Sequence, residues 1–262
     1  MEDTLIERAR AGDASAMEAL ITEVTPSVER FARRLCPGSD VDDVLQETLI
    51  SLVSNLGRFE GRSALRSWVF AITRSACSRQ HRGLKNRPHD GDDAVAEMAD
   101  AAPDPEQRVA DDELTRSLTT ALDSLSPEHR EVILLRDMEG LTAPEAAASL
   151  GLTVDALKSR LHRARAALRD ALRPTLEGSA PPPSTRCPDV IALWSKRLEG
   201  DLAPDDCAAM EKHMEGCVSC GAACEALKRT LWACQSTRAP KVTPEMRAQI
   251  KRAMEAWRAS TT

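Results

Sequence analysis

One stretch constrains this chain more than any other: residues 141–169, LTAPEAAASLGLTVDALKSRLHRARAALR. It reads as two helices joined by a tight turn. Thr142 can cap the first helix, with Pro144 in its first turn and Glu145 placed as a capping-box partner. Gly151 ends that helix, because glycine alone takes the left-handed conformation after a helix without steric cost. Thr153 caps a second helix whose apolar positions, Val154, Leu157, Leu161, Ala164 and Leu168, share one face. The other face carries Lys158, Arg160, Arg163 and Arg165 against a single acid, Asp155. Such a helix fits a DNA major groove, with its first turns at base edges and its cations on phosphates. The plainer alternative is a solvated basic face on an ordinary helical hairpin, and the rest of the chain decides between the two.

The composition is that of a largely helical protein, rich in Ala, Leu, Arg and Glu, with no tyrosine. With 262 residues there is room for two or three small domains. No apolar run is long enough to span a bilayer, and the start, MEDTLIERAR, is acidic and amphipathic rather than signal-like. The expected location is the cytoplasm, with no membrane partner. The net charge of −6 hides a segregation of sign: residues 62–87 hold seven Lys/Arg and no acid, whereas 86–113 hold ten Asp/Glu against two Arg. Six of the eight cysteines lie in the last third, and in a reducing compartment that clustering points to metal rather than disulfides.

Residues 1–86 read as a helical domain. Short helices are expected over 4–11 and 14–25, with a further one started by Pro26 and running through Val28, Phe31, Ala32 and Leu35. Asp40 can cap a helix carrying Val44, Leu45, Leu49 and Leu52, and residues 65–82 form another. Cys36 and Cys77 sit among apolar neighbours and are expected to be small buried hydrophobes.

The stretches DVLQETLISLVSNLGRFEGRSALRSWVFAITRS and ALDSLSPEHREVILLRDMEGLTAPEAAASLGLTVDALKSRLHRARAALR resemble, in order, the sigma-two and sigma-four domains of the extracytoplasmic-function sigma factors. The resemblance covers roughly residues 5–172. It implies a subunit that brings bacterial RNA polymerase, through its β′ and β subunits, to promoter DNA and helps open the duplex. The family's acidic docking face falls here on Asp43, Gln46 and Glu47. The segment that captures an unstacked base of the minus-ten element falls on Arg62, Ser63, Arg66 and Trp68, with Arg74 and Arg79 further along the same basic helix. Ser75 and Arg79 stand where the family commonly has Asn and Asp, and Ala143 stands where it has an aromatic residue. The minus-thirty-five candidates are Thr153, Lys158, Ser159, Arg160, Arg163 and Arg165, with phosphate contacts dominating affinity. The acidic segment 87–113 is expected to be a flexible linker, and 114–173 the sigma-four domain.

Residues 174–186, PTLEGSAPPPSTR, read as a second linker, leaving 187–262 as a cysteine-rich domain. His213, Cys217 and Cys220 form an H-x3-C-x2-C group, with Cys187 upstream as a fourth ligand. Two thiolates from one turn and an imidazole from the preceding helix suit a tetrahedral ion. This part is similar to the fold of zinc-associated anti-sigma factors, including the LEGDLAP turn. Cys207, Cys224 and Cys234 are additional candidate ligands, and thiolates at this density favour zinc, cadmium or copper(I). A sigma factor carrying such a tail resembles the CorE type of metal-responsive sigma factors. Met246, Ile250, Ala253, Met254 and Trp257 form an apolar stripe that must be buried, either in the cysteine-rich domain itself or by an intramolecular contact with a sigma domain.

The expected fold is therefore all-α: two helical sigma domains plus a small helical metal-binding domain. The expected function is transcription initiation gated in cis by metal. The alternatives are a thiol-redox-sensing tail and, less well matched, a metal-binding interaction module with vestigial DNA binding. No nucleophile–base pairing, phosphate loop or open catalytic metal set marks an enzyme.

Overall fold

The computed structural model describes residues 2–36, 40–61, 64–84, 116–176, 184, 187–236 and 242–261. All regular structure among them is helical: α1 (Glu2–Arg10), α2 (Ala14–Leu35), α3 (Val41–Asn55), α4 (Leu65–Leu84), α5 (residues 116–124), α6 (Pro127–Ile133), α7 (Ala143–Leu150), α8 (Val154–Leu176), α9 (Val190–Leu198), α10 (Pro204–Gly216), α11 (Val218–Ser236) and α12 (Pro244–Thr261). None is long and apolar enough to cross a membrane. The chain divides into two compact units, one of residues 1–96, 148–151 and 238–262, the other of residues 97–147 and 152–237. The expected linker 87–113 and most of 174–186 lie outside the described residues.

In the first unit the expected break at Pro26 is absent, and α2 runs through it. A proline inside a helix forfeits a hydrogen bond and costs about 3 kcal/mol. Here Met17, Leu20, Ile21, Val24, Val28 and Phe31 form one continuous buried stripe across it, and tertiary packing outweighs the local loss. Asp40 caps α3 as expected, its carboxylate accepting from the amides of Asp42 and Asp43. Cys36 and Cys77 are both buried, but they form a disulfide, which corrects the expectation of two separate apolar side chains. Their neighbours Ala32, Val44 and Ala76 bring the end of α2 against α4, with the two Cα atoms 5.9 Å apart.

Of the two destinations open to the stripe on α12, the cysteine-rich domain and a sigma domain, the helix takes a place among the N-terminal helices, packing chiefly on α3 and α2. Met246, Ile250, Ala253, Met254 and Trp257 all join the core that holds Leu20, Leu45, Leu49 and Leu52. Burying side chains of the Met or Ile size contributes about 1.5–3 kcal/mol each, and the stripe is complementary to an α3 face that is otherwise apolar.

The second unit joins α5, α6 and α8 to the bundle α9–α11. Leu157, Leu161, Ala164, Leu168 and Leu172 of α8 are fully buried with Val132, Ile133 and Leu135 of α6 and its continuation. The capping box is present: Glu145 accepts from the Thr142 amide at 2.7 Å, and Thr142 accepts from the Glu145 amide at 3.4 Å. Gly151 takes φ +65, and Thr153 accepts from the Ala156 amide at 3.2 Å. One feature has no counterpart in the sequence expectations. After α6 the chain widens into a π-helical turn, Leu134–Met138, with the Glu139 amide donating to the Leu134 carbonyl.

Candidate metal centre and nucleic-acid interface

Four ligand-type side chains converge in the bundle. Cys187 precedes α9, His213 lies in the last turn of α10, Cys217 ends α10, and Cys220 sits in the first turn of α11. Their ligand atoms lie within 4.8 Å of one another. The Cys187 and Cys217 sulfurs are 3.8 Å apart, and His213 Nε2 is 3.3 Å from the Cys220 sulfur. Thiolates about 2.3 Å from a central zinc-sized ion would form a tetrahedron with edges of about 3.8 Å. The cluster therefore fits a metal ion of that size, held by three sulfurs and one nitrogen. Gly221 makes the approach feasible, because a Cβ there would lie 3.3 Å from the Met214 carbonyl oxygen.

The thiols differ in acidity. The Ser184 hydroxyl hydrogen-bonds the Cys187 sulfur, with a further contribution from Cys220, and brings that thiol down to about 6. Burial, reinforced by the neighbouring thiols, pushes Cys220 up to about 12. A metal ion entering the set displaces the remaining protons. Cys207, Cys224 and Cys234 are not members of this set. Cys224 and Cys234 are buried on α11, and burial raises the Cys224 thiol. The bundle core is small: Val190, Ile191, Cys220, Ala223, Leu227 and Leu231. Trp194 packs on it under Arg197 and Lys228, each 5.0 Å from the ring centre.

This bundle packs along α8. Lys158 is held by both Asp201 carboxylate oxygens at 2.6 and 2.7 Å. Arg165 bonds Asp137 in the π-helical turn at 2.6 and 3.0 Å, Glu199 at 3.1 Å and the Ser195 hydroxyl at 2.9 Å. Burial works against its charge, but the hydrogen bonds and fields of Asp137 and Glu199 prevail and raise its pKa. Arg165 is thus covered, with a side chain 2% exposed, and not on the open basic face where its spacing put it. The remaining minus-thirty-five candidates are more accessible. Thr153, Ser159 and Arg163 are exposed, while Arg160 is half-buried and 3.8 Å from Glu128. Sequence reasoning missed Arg136, Glu199, Asp201 and Ser195. Only the alternation of acids around Gly200 in the LEGDLAP turn hinted at them.

In the other unit, Asp43 is exposed and Gln46 half-buried on α3. Glu47 accepts from Arg79 Nε at 2.6 Å, so a docking candidate and a minus-ten candidate are paired. Arg66 lies over the Phe70 ring at 5.8 Å and lines a cavity of about 260 Å3 with Glu23, Ser27 and Val69. Trp68 is half-buried against Phe59, ring centres 5.2 Å apart, and Arg74 is half-buried. Arg62 and Ser63 lie outside the described residues.

Comparisons with known proteins follow the same division. Residues 20–97 match the family Sigma-70 region 2, residues 115–168 match Sigma-70, region 4, and residues 187–221 match the family Putative zinc-finger. The ECF RNA polymerase sigma-E factor of Escherichia coli (strain K12) is 30% identical over 183 residues, covering 67% of this chain and 96% of the relative. The sigma-E factor of Salmonella typhimurium matches over the same shares at the same identity. Among solved structures, CnrH in complex with the cytosolic domain of CnrY is 30% identical, covers 65% of this chain and 96% of its own, and superposes with a TM-score of 0.49. Two sigma regions in the right order, at that identity over nearly the full length of the relatives, establish that this chain belongs to the extracytoplasmic-function sigma factors, the sigma-70-family subunits that direct RNA polymerase to promoters.

Proposed function

We propose that this sigma factor is gated in cis by metal bound at Cys187, His213, Cys217 and Cys220, in the manner of the CorE type, and that it controls metal-stress genes from the cytoplasm. The observation that carries the reading is the packing of the ligand-bearing bundle on α8, where Lys158 and Arg165 are engaged by its acids. Residues 1–86 act as the sigma-two domain and 114–173 as the sigma-four domain. Asp43, Gln46 and Glu47 dock on the polymerase β′ subunit. Arg62, Ser63, Arg66, Trp68, Arg74 and Arg79 serve the minus-ten element, and Thr153, Lys158, Ser159, Arg160 and Arg163 read the minus-thirty-five element. The ion is zinc, cadmium or copper(I), whose thiolate bonds would hold the bundle closed. Moving a population from mostly off to mostly on needs about 5.5 kcal/mol of differential affinity. Structural zinc ligation supplies about 10–16 kcal/mol, so the ligand set is strong enough for the task.

The test is in-vitro transcription with core polymerase and metal-free protein titrated with Zn(II), Cd(II) and Cu(I) under reducing conditions. Output that follows one ion and loses that response in Cys217→Ser supports the gate. Output equal in every metal state overturns it. A second reading is a thiol-redox-sensing tail, in which Cys187, Cys217 and Cys220, free thiols in close proximity, would release the ion on oxidation. Output that follows the reductant at constant metal supports that reading instead.

A further inference from the structure

The turn between α9 and α10 has the chemistry of a nucleic-acid backbone. Gly200 takes φ +74 and closes the turn, with the Asp201 amide donating to the Lys196 carbonyl at 2.8 Å. The residues on either side, Glu199 and Asp201, are both carboxylates. Between them they engage three cations of the sigma-four domain: Arg136, Lys158 and Arg165. Glu199 bridges the two guanidinium groups, with Arg136 at 2.7 Å on one oxygen and Arg165 at 3.1 Å on the other. A single anion spanning two arginines, with a second anion on a lysine alongside, is how a phosphate backbone is gripped.

The cations are more than partners of convenience. Arg165 also holds Asp137, so it stays charged and oriented without Glu199. Arg136 has no carboxylate other than Glu199 within ion-pair distance among the described residues, and its buried Nε has no hydrogen-bond partner there. Arg136 sits in the π-helical turn, a widened helical geometry that is frequent at functional sites. Removing the turn that carries Glu199 would leave Arg136, still donating from Nη1 to the Leu141 carbonyl, with its Nε and Nη2 donors unspent, on the domain that carries α8.

We propose that Glu199 and Asp201 are phosphate mimics, and that the sugar-phosphate backbone of duplex DNA competes with them for Arg136, Lys158 and Arg165. Arg136 is thereby assigned as a DNA-backbone contact. The bundle excludes DNA from the sigma-four domain, and neutralising two carboxylates is sufficient to relieve that exclusion. The inference rests on the reading of α8 as the DNA-contacting helix and deepens it; it does not require that metal be the signal.

Because the phosphate contribution is independent of sequence, the probe is a fluorescent mixed-sequence duplex, with anisotropy read across a salt series on the full chain without polymerase. E199Q/D201N should bind about tenfold more tightly at low salt, with a log–log salt slope steeper by about 2 to 3. Adding R136Q to that double variant should remove a large part of the gain and return about one unit of slope. Glu199 is buried, so D201K is measured in parallel. It disturbs only a half-exposed pair and should tighten binding in the same direction. Metal content and far-UV dichroism are recorded for every form. Wild-type affinity and slope in both E199Q/D201N and D201K overturn the proposal while leaving α8 as the DNA helix. Absence of duplex binding by every form overturns both.

Discussion

The tail beyond α8 attaches to the molecule in two chemically different ways. The bundle α9–α11 meets α8 and the π-helical turn through carboxylate–cation pairs around a small core that contains Cys220, a member of the cluster able to hold a metal ion. Helix α12 meets α2 and α3 through five apolar side chains and shares their core. Apolar burial is insensitive to charge screening, whereas the partly exposed Lys158–Asp201 pair at the edge of the bundle is open to salt. A single tail thus holds a responsive attachment in one unit and a persistent one in the other. The lesson is that seventy-odd consecutive residues with one compositional character need not act as one domain.

The contrast can be broken most forcefully at the ligand set. Cys220→Ser removes a buried ligand, and because ligation supplies about 10 kcal/mol or more to such small domains, residues 187–236 should lose protease resistance along with bound metal. Helix α12 should remain protected in hydrogen exchange; loss of protection there would mean the two attachments are one. Next in size, Trp257→Ala should cost about 3–5 kcal/mol of stability in the first unit, read by urea unfolding, with metal stoichiometry unchanged. A smaller effect is expected from pH. With Cys187 already a thiolate above about 6, metal binding displaces no proton from that sulfur. Below that pH it must displace one there as well, and this sulfur alone should steepen the fall in the logarithm of affinity by about one unit per pH unit. Competition titration with a chromogenic chelator between pH 5 and 8 checks the break, about tenfold in affinity per pH unit. Smallest, Asp201→Asn should change unit stability by about 1 kcal/mol or less, and that difference should vanish in about 1 M salt. Trp257→Ala should show no such salt dependence.

Much of this was legible in the sequence because it is written in short-range chemistry. His213, Cys217 and Cys220 stand at a spacing that a helix end and the next helical turn bring together, and the fold adds Cys187 to the cluster. Thr142, Glu145, Gly151 and Thr153 behave as their capping chemistry requires. The stripe on α12 is evident, and so is its need for burial, but an apolar periodicity carries no address and leaves the destination open between the cysteine-rich domain and a sigma domain. The burial of Arg165 is illegible in the sequence for a related reason. A helical wheel separates apolar from basic positions, and it cannot show that a second domain brings Glu199 and Ser195 to a basic position. Cys36 and Cys77 are forty-one residues apart, and only the packing of α2 against α4 brings them together. Pro26 reads as a helix start by local rules, which tertiary burial overrides.

The placement of the tryptophans gives the molecule an optical property. With no tyrosine and four tryptophans, near-ultraviolet emission comes from two indoles in each unit. Trp257, 9% exposed on the buried face of α12, and half-buried Trp68 report on the first. Trp194, beneath two cations, and Trp232, 57% exposed, report on the second. Detachment of α12 would shift the emission of an indole that is dark to water-soluble quenchers, whereas rearrangement around the ligands would alter one already close to cationic quenching groups. The two attachments therefore carry separate fluorescent signatures, and the order in which they let go is recorded in the colour and quenching of the protein's own light.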